Sequence, residues 1–137
     1  VTSGQCIGYL MLQTSALTNI VSTRIYNGNK PTTATVPSIN YYELSGGQRR
    51  WGFERVSYSI NCRAATAETA LALARNVDEL FNGTSGTGMY GYTSSGSAFE
   101  ITRASTRQRQ GLIPEPDDGL YNAPVDIFIV FPASSIV

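Results

Sequence analysis

Arg55-Val56-Ser57-Tyr58-Ser59-Ile60-Asn61-Cys62-Arg63, followed by Ala65-Thr66-Ala67-Glu68-Thr69-Ala70-Leu71-Ala72-Leu73-Ala74, decides the fold class. In the first run Val56, Tyr58, Ile60 and Cys62 alternate with arginine, serine and asparagine, a period of two that predicts a strand with one wet face. In the second the period changes to that of a helix. Thr66 is placed to cap it, Glu68 sits in its positive first turn and Asn82-Gly83 ends it. Ala70, Leu73, Ala74, Val77, Leu80 and Phe81 make one apolar stripe, while Glu68, Arg75, Asn76 and Glu79 face away. A wet-faced strand followed by a helix with small inward residues predicts a helix lying across a sheet.

Working upstream, Ile7, Leu10, Met11, Thr14 and Leu17 fall at helical spacing, predicting an N-terminal helix over 4–17 with Thr2 or Ser3 as its cap. Arg24-Ile25-Tyr26 is a short strand candidate, and the segment from Asn27 to Pro31 is turn-rich. The β-formers of 36–44 predict a strand with Pro37 near its start. Gly46-Gly47 opens a hairpin-like loop carrying Gln48, Arg49, Arg50 and Trp51. Downstream, residues 84–97 are rich in Gly, Ser, Thr and Tyr without periodicity and predict a long excursion or hairpin tip. A strand follows at 98–104, extendable to Arg109, and Pro114 to Gly119 reads as a turn into a last strand at 120–131. There Val125, Ile127, Ile129 and Phe131 share one face while Phe128 and Val130 occupy the other, so both faces need cover. Pro124 removes a ladder donor, which predicts an edge or a bulge. Long crossover helices between successive strands are missing. The expectation is therefore α+β: an antiparallel sheet of four to five strands with two helices packed on it.

Composition narrows the chemistry. The 137 residues carry ten basic and ten acidic side chains, no histidine, and Lys30 as the sole lysine beside nine arginines. Without histidine, Ser-His-Asp and Cys-His catalysis and His-containing zinc sites are excluded, and two cysteines cannot supply a four-thiolate site. No nucleophile–base pair survives, so neither a catalytic residue, a cofactor nor a metal is assigned. A zero net charge argues against a dedicated nucleic-acid binder. It also leaves little repulsion to oppose self-association. Cys6 and Cys62 do not read as a disulfide framework, and Cys62, which ends an alternating apolar run, reads as a buried free thiol. No stretch approaches a membrane span, and Val1 to Gln5 lack signal-peptide character, so a soluble chain made in the cytoplasm is expected.

Several motifs reduce to plainer readings. Gly86-Thr87-Gly88-Met89-Tyr90-Gly91 matches a dinucleotide-loop spacing, but it follows a helix instead of a strand and leads into no helix. Glu115, Asp117 and Asp118 lack calcium-loop spacing and read as turn chemistry. Asn82-Gly83-Thr84 is a glycosylation pattern without a secretory signal. Arg49, Arg50, Arg55, Arg63, Arg103, Arg107 and Arg109 have three readings: solvated charge, an anionic-ligand surface, or forks to carboxylates of a neighbouring subunit. Trp51 and Phe53 beside two arginines make an interface anchor, or else Trp51 folds back onto the core. Phe128 and Val130 left wet would form an apolar patch on an uncharged protein, and a neighbouring subunit is the economical cover. The candidate interaction residues are thus Arg49, Arg50, Trp51, Phe53, Phe128 and Val130.

One resemblance adds to this reading. Ala16-Leu17-Thr18-Asn19-Ile20-Val21 before Arg24-Ile25-Tyr26, then Val36 to Tyr42, the Arg55–Cys62 strand, the Ala65–Ala74 helix start and Asp117-Asp118-Gly119-Leu120-Tyr121 follow one another in a familiar order. Over about residues 7–131 this order resembles the tail-completion, or tail-terminator, proteins of long-tailed bacteriophages. The resemblance implies one tail-terminator-like domain over 1–137. It also implies a homo-oligomeric ring, usually of six subunits, at the head-proximal end of the tail tube. Implied partners are the tail tube protein and a head-completion or stopper protein, with genomic DNA passing through the lumen without sequence-specific binding and no membrane contact. The implied location is the tail or neck of the virion, after assembly in the host cytoplasm. The chain departs from the pattern in its long 83–97 stretch and in Pro124. Two other readings stay open: a head-side connector or stopper subunit, and a small ligand-binding or enzymatic domain using the 83–97 stretch.

Overall fold

The computed structural model describes residues 3–28, 35–83, 89–93, 100–115 and 119–132. The expectations placed on Thr2, on Lys30 and its turn, on residues 84–88 and 94–97, and on Asp117 and Asp118 lie outside these residues. The chain forms α1 (Ser3–Leu12), α2 (Ser15–Val21), β1 (Ile25–Asn27), β2 (Ser38–Arg50), β3 (Phe53–Ala64), α3 (Ala67–Asn82), β4 (Met89–Thr93), β5 (Glu100–Arg109), β6 (Ile113–Glu115) and β7 (Leu120–Pro132). One sheet runs in the order β1-β2-β3-β7-β5-β4, with β6 pairing onto β7.

The α+β class stands, with three corrections to its details. The sheet is mixed, because β1 runs parallel to β2 in the register Ile25↔Ile39. Arg24, just before β1, ties the start of β2 to the end of α2 by donating to the carbonyls of Pro37 (2.9 Å) and Ile20 (3.5 Å). Among the described residues the sheet also has seven strands instead of four or five, since β4 occupies part of the expected excursion and β6 part of the expected turn. Finally, the N-terminal helix is two helices. Thr14 leaves helical geometry at φ −96° and ψ 107°, and its hydroxyl donates to the Leu10 carbonyl at 2.8 Å. A threonine that bonds back to the preceding turn competes with helix propagation, and here it ends α1 and starts α2.

The hairpin loop is also displaced. Gly46-Gly47 lies within β2, where the pairing with β3 shifts register between Glu43 and Ser45 and again between Ser45 and Gln48. The glycines serve bulges rather than a turn. The turn itself is Trp51-Gly52, with both residues at positive φ (56° and 78°), as a two-residue type I′ connection requires. The result is a long antiparallel arm.

All three helices have their apolar sides buried. α3 is capped as expected: the Thr66 hydroxyl accepts from the Thr69 backbone N–H at 3.3 Å, and Gly83 takes φ +72° past its end. It packs on β3, β5 and β7 through Ala70, Leu73, Ala74, Val77 and Phe81. α1 comes close enough for Tyr41 to donate its hydroxyl to the Gly4 carbonyl at 2.6 Å and for Ser3 and Tyr58 to share a hydrogen bond at 2.5 Å. A Cβ on Gly8 would stand 2.5 Å from the Tyr41 hydroxyl oxygen. Gly8→Ala is therefore expected to destabilise by about 1–2 kcal/mol, overpacking outweighing the gain in helix propensity. A urea midpoint at or above wild type would show that α1 can lift off the tyrosines without loss.

β7 is a central strand, with β3 on one side and β5 and β6 on the other. That takes Pro124 off an edge strand, but it faces an irregularity in the ladder: between Arg109↔Val125 and Ile113↔Asn122 the facing side carries one residue more than β7. Its carbonyl accepts from the Gln110 N–H at 3.0 Å, so its own nitrogen points to the same side. Pairing with β5 ends at Val125 and pairing with β6 begins at Asn122. The missing donor falls in the gap between them, where no ladder bond is lost.

Candidate interaction surface

The register separates two faces. Val56, Tyr58, Ile60 and Cys62 of β3 and Val125, Ile127, Ile129 and Phe131 of β7 form the helix-covered core. The opposite face carries Arg55, Ser57, Ser59, Asn61 and Arg63 beside Val130, Phe128, Asp126, Pro124 and Asn122. Its middle is not wet, as the alternation alone implied: Ser59 is 2% exposed and Asn61 5%. Short polar side chains in mid-sheet are shaded by long neighbours, and several bond to one another, although the Asn122 Oδ1 is left without a partner. Asn122 donates to Asn61 (3.1 Å), and Arg63 donates to Asn40 (3.2 Å) and to Glu115 (2.9 Å). Gln108 and Gln110 donate to Asp126 at 2.9–3.1 Å. Glu115, read from sequence as turn chemistry, thus pairs with Arg63 across a half-buried bridge.

At the arm end lie the candidate residues: Phe53, Phe128 and Val130 on this face, Arg50 paired with Phe53, Trp51 in the turn, and Arg49 paired with Glu54 on the other face. Trp51 is 87% exposed at the tip and Phe53 42%, so Trp51 does not fold back onto the core. Arg49 and Arg50 are exposed beside them. Arg49 approaches Glu54 at 3.8 Å, an open pair worth well under ~1 kcal/mol. Arg50, Phe53 and Val130 join Glu54 and Arg55 around one surface cavity of about 250 Å³. Phe128 and Val130 are half-buried. Part of the cover for Phe128 comes from the chain itself: the Arg55 guanidinium lies 4.1 Å from its ring centroid and that of Arg103 5.9 Å. The structure therefore gathers all six candidates at one end, with the arginines serving as cation–π lids as well as surface charge.

Trp51 is costly where it stands. A bulky L-residue at φ +56° is strained by ~1–2 kcal/mol relative to glycine, and at 87% exposure it recovers little by packing.

Sequence reading missed a second feature, at the opposite end of β7. Leu71 and Ala74 of α3, Arg109, Gly111, Ala123 and Pro124 line a surface groove of about 330 Å³. Leu71 is 47% exposed. The available signal was Leu71 itself, a large apolar residue one step off the inward stripe of α3.

Among the described residues no group of three or more His, Cys, Asp or Glu is placed to hold a metal ion, and no helix is long and apolar enough to cross a membrane. Both cysteines are buried and neither is in a disulfide, and desolvation pushes the Cys62 thiol up to about 12.

No protein-family model matches the chain, and no curated protein does. Among solved structures, a chain from "Virion of native gene transfer agent (GTA) particle" superimposes with a TM-score of 0.68 at 11% identity, over 95% of this chain and 94% of that one. The fold is shared with a virion component. At that identity the likeness speaks for the arrangement of helices and strands, and it extends over nearly the whole of both chains.

Proposed function

We propose that this chain is a structural virion protein, a tail terminator that forms a ring on the head-proximal end of a phage tail tube. The observation that carries the reading is the end-to-end fold likeness to a chain of a gene transfer agent virion. It agrees with the element order that resembles tail-completion proteins. The protruding arm supports it further, since an exposed Trp and Phe with two arginines suit contact with other proteins. In this reading the ring, of six subunits in the resembling family, stops tube growth and receives the head-completion or stopper protein, while DNA passes through without being gripped. The zero net charge suits such a conduit. No enzymatic role is proposed, and none of the residues is assigned to catalysis.

Particles lacking this protein test the reading. A terminator's loss is expected to give tubes of uncontrolled length that fail to join heads, seen by negative-stain electron microscopy. Tails of normal length beside leaking, DNA-filled heads would instead identify a head-side connector or stopper. Intact infectious particles would point away from the virion, toward a small-molecule role for the 83–97 stretch.

A further inference from the structure

We propose that Trp51 of one copy docks in the Leu71–Pro124 groove of the next copy, a head-to-tail contact that builds the assembly. This inference rests on the oligomeric reading above and adds the two surfaces that meet.

The two features are complementary in kind and opposite in place. Trp51 is the chain's single tryptophan, held out at the tip of a tight turn at 87% exposure. The groove, at about 330 Å³, is at the small end for ligand pockets, where one large side chain fits better than a peptide or a nucleotide. Its walls suit an indole: Leu71, Ala123 and Pro124 are apolar, Ala74 leaves room on the floor, and the Arg109 guanidinium can stack on the ring. Arg109 makes no ion pair among the described residues. On β7 the groove lies at Pro124, whereas the arm meets Pro132 through Phe53. That separation is roughly 26 Å at ~3.3 Å per strand residue, so a knob cannot reach its own hole. A contact joining different surfaces on opposite ends is heterologous, and repetition closes it into a ring or extends it into a filament. The strained backbone at Trp51 fits this assignment. An asparagine or glycine would suit the turn better, so the residue present serves something other than the turn.

The single tryptophan is its own reporter. As wild-type protein is concentrated and sedimentation velocity shows association, Trp51 emission is expected to shift to the blue and acrylamide quenching to fall several-fold. Trp51→Asn, which relieves the turn, is expected to unfold at an equal or higher urea concentration yet stay monomeric. Leu71→Asp, at an exposed site, is expected to fold and stay monomeric with its tryptophan fully quenchable. Mixed together, the two variants retain one good knob and one good groove, and are expected to form a dimer whose tryptophan is protected. Association of the wild type with a fully quenchable Trp51 overturns this contact while leaving the ring reading intact. A wild type that stays monomeric, with no dimer on mixing, also overturns the contact. Imaging of particles then decides the ring reading separately.

Discussion

Raising the pH from 8 to 12 is expected to unfold this protein through its buried acids, with Cys62 leading. Burial lifts the Cys62 thiol from its ordinary 9.0 to about 12. Tyr41 rises from 10.0 to about 12, chiefly by burial and then by the nearby Tyr58, and Tyr58 is raised as well by burial. Above pH 9 the unfolded chain releases protons that the folded chain retains. The unfolded state is then favoured increasingly with pH, at about 1.4 kcal/mol per pH unit for each such group. The stability these groups protect is fully present below pH 9 and lost as pH climbs toward 12. Cys62 alone accounts for roughly 4 kcal/mol over that window, against a total of ~5–15 kcal/mol for a domain. Urea midpoints at pH 8, 9, 10 and 11 should fall with increasing slope. Cys62→Ala, which removes the thiol, should leave the midpoints nearly flat between pH 9 and 10 and lessen the slope above pH 10, where the tyrosines still act. Midpoints constant to pH 11 would mean that these side chains reach water in the folded state.

Phe81→Ala is expected to remove about 3–5 kcal/mol, the range for deleting a fully buried aromatic side chain. Phe81 is wholly inaccessible in the last turn of α3 and among the largest side chains so buried. Phe81 packs with the sheet-facing side of α3 against β3, β5 and β7, where neighbouring side chains are already fully buried and little can collapse into the vacated space. The check is a lowered urea midpoint at unchanged slope. A loss below 1 kcal/mol would show that the end of α3 is not anchored to the sheet.

How much of this was legible in the sequence depends on where information is local. α3 was fully readable: its cap, its stripe and its terminating glycine lie within one short segment, and each appears where expected. The inward faces of β3 and β7 were readable for the same reason. Local signals failed where a partner distant in sequence decides the outcome. Ser57, Ser59 and Asn61 look like a wet face, but β7 and β2 place long side chains around them. Thr14 fits the helical period, and only its bond to Leu10 shows that the helix stops there. Gly46-Gly47 advertises a turn more strongly than Trp51-Gly52 does, because tryptophan is a poor residue for positive φ. Of the interaction surface, Arg49, Arg50, Trp51 and Phe53 were found from aromatic and arginine clustering, and Phe128 and Val130 from a strand apolar on both faces. The groove was not, since its walls come from α3, the end of β5 and the start of β7.

The central place of β7 also governs how the chain must fold. Its pairing with β3 joins Ala64 to Tyr121 and Phe53 to Pro132, residues far apart in the chain. The β2–β3 arm and α3 can form early from neighbouring residues. The middle of the sheet cannot close until the whole segment between β3 and β7 has been gathered, and that loop entropy is spent before any contact repays it. Until β7 inserts, β3 and β5 each present an open edge. The kinetic bottleneck is therefore the arrival of one strand, and an excess of nascent chains would be most prone to mispairing with one another during that wait.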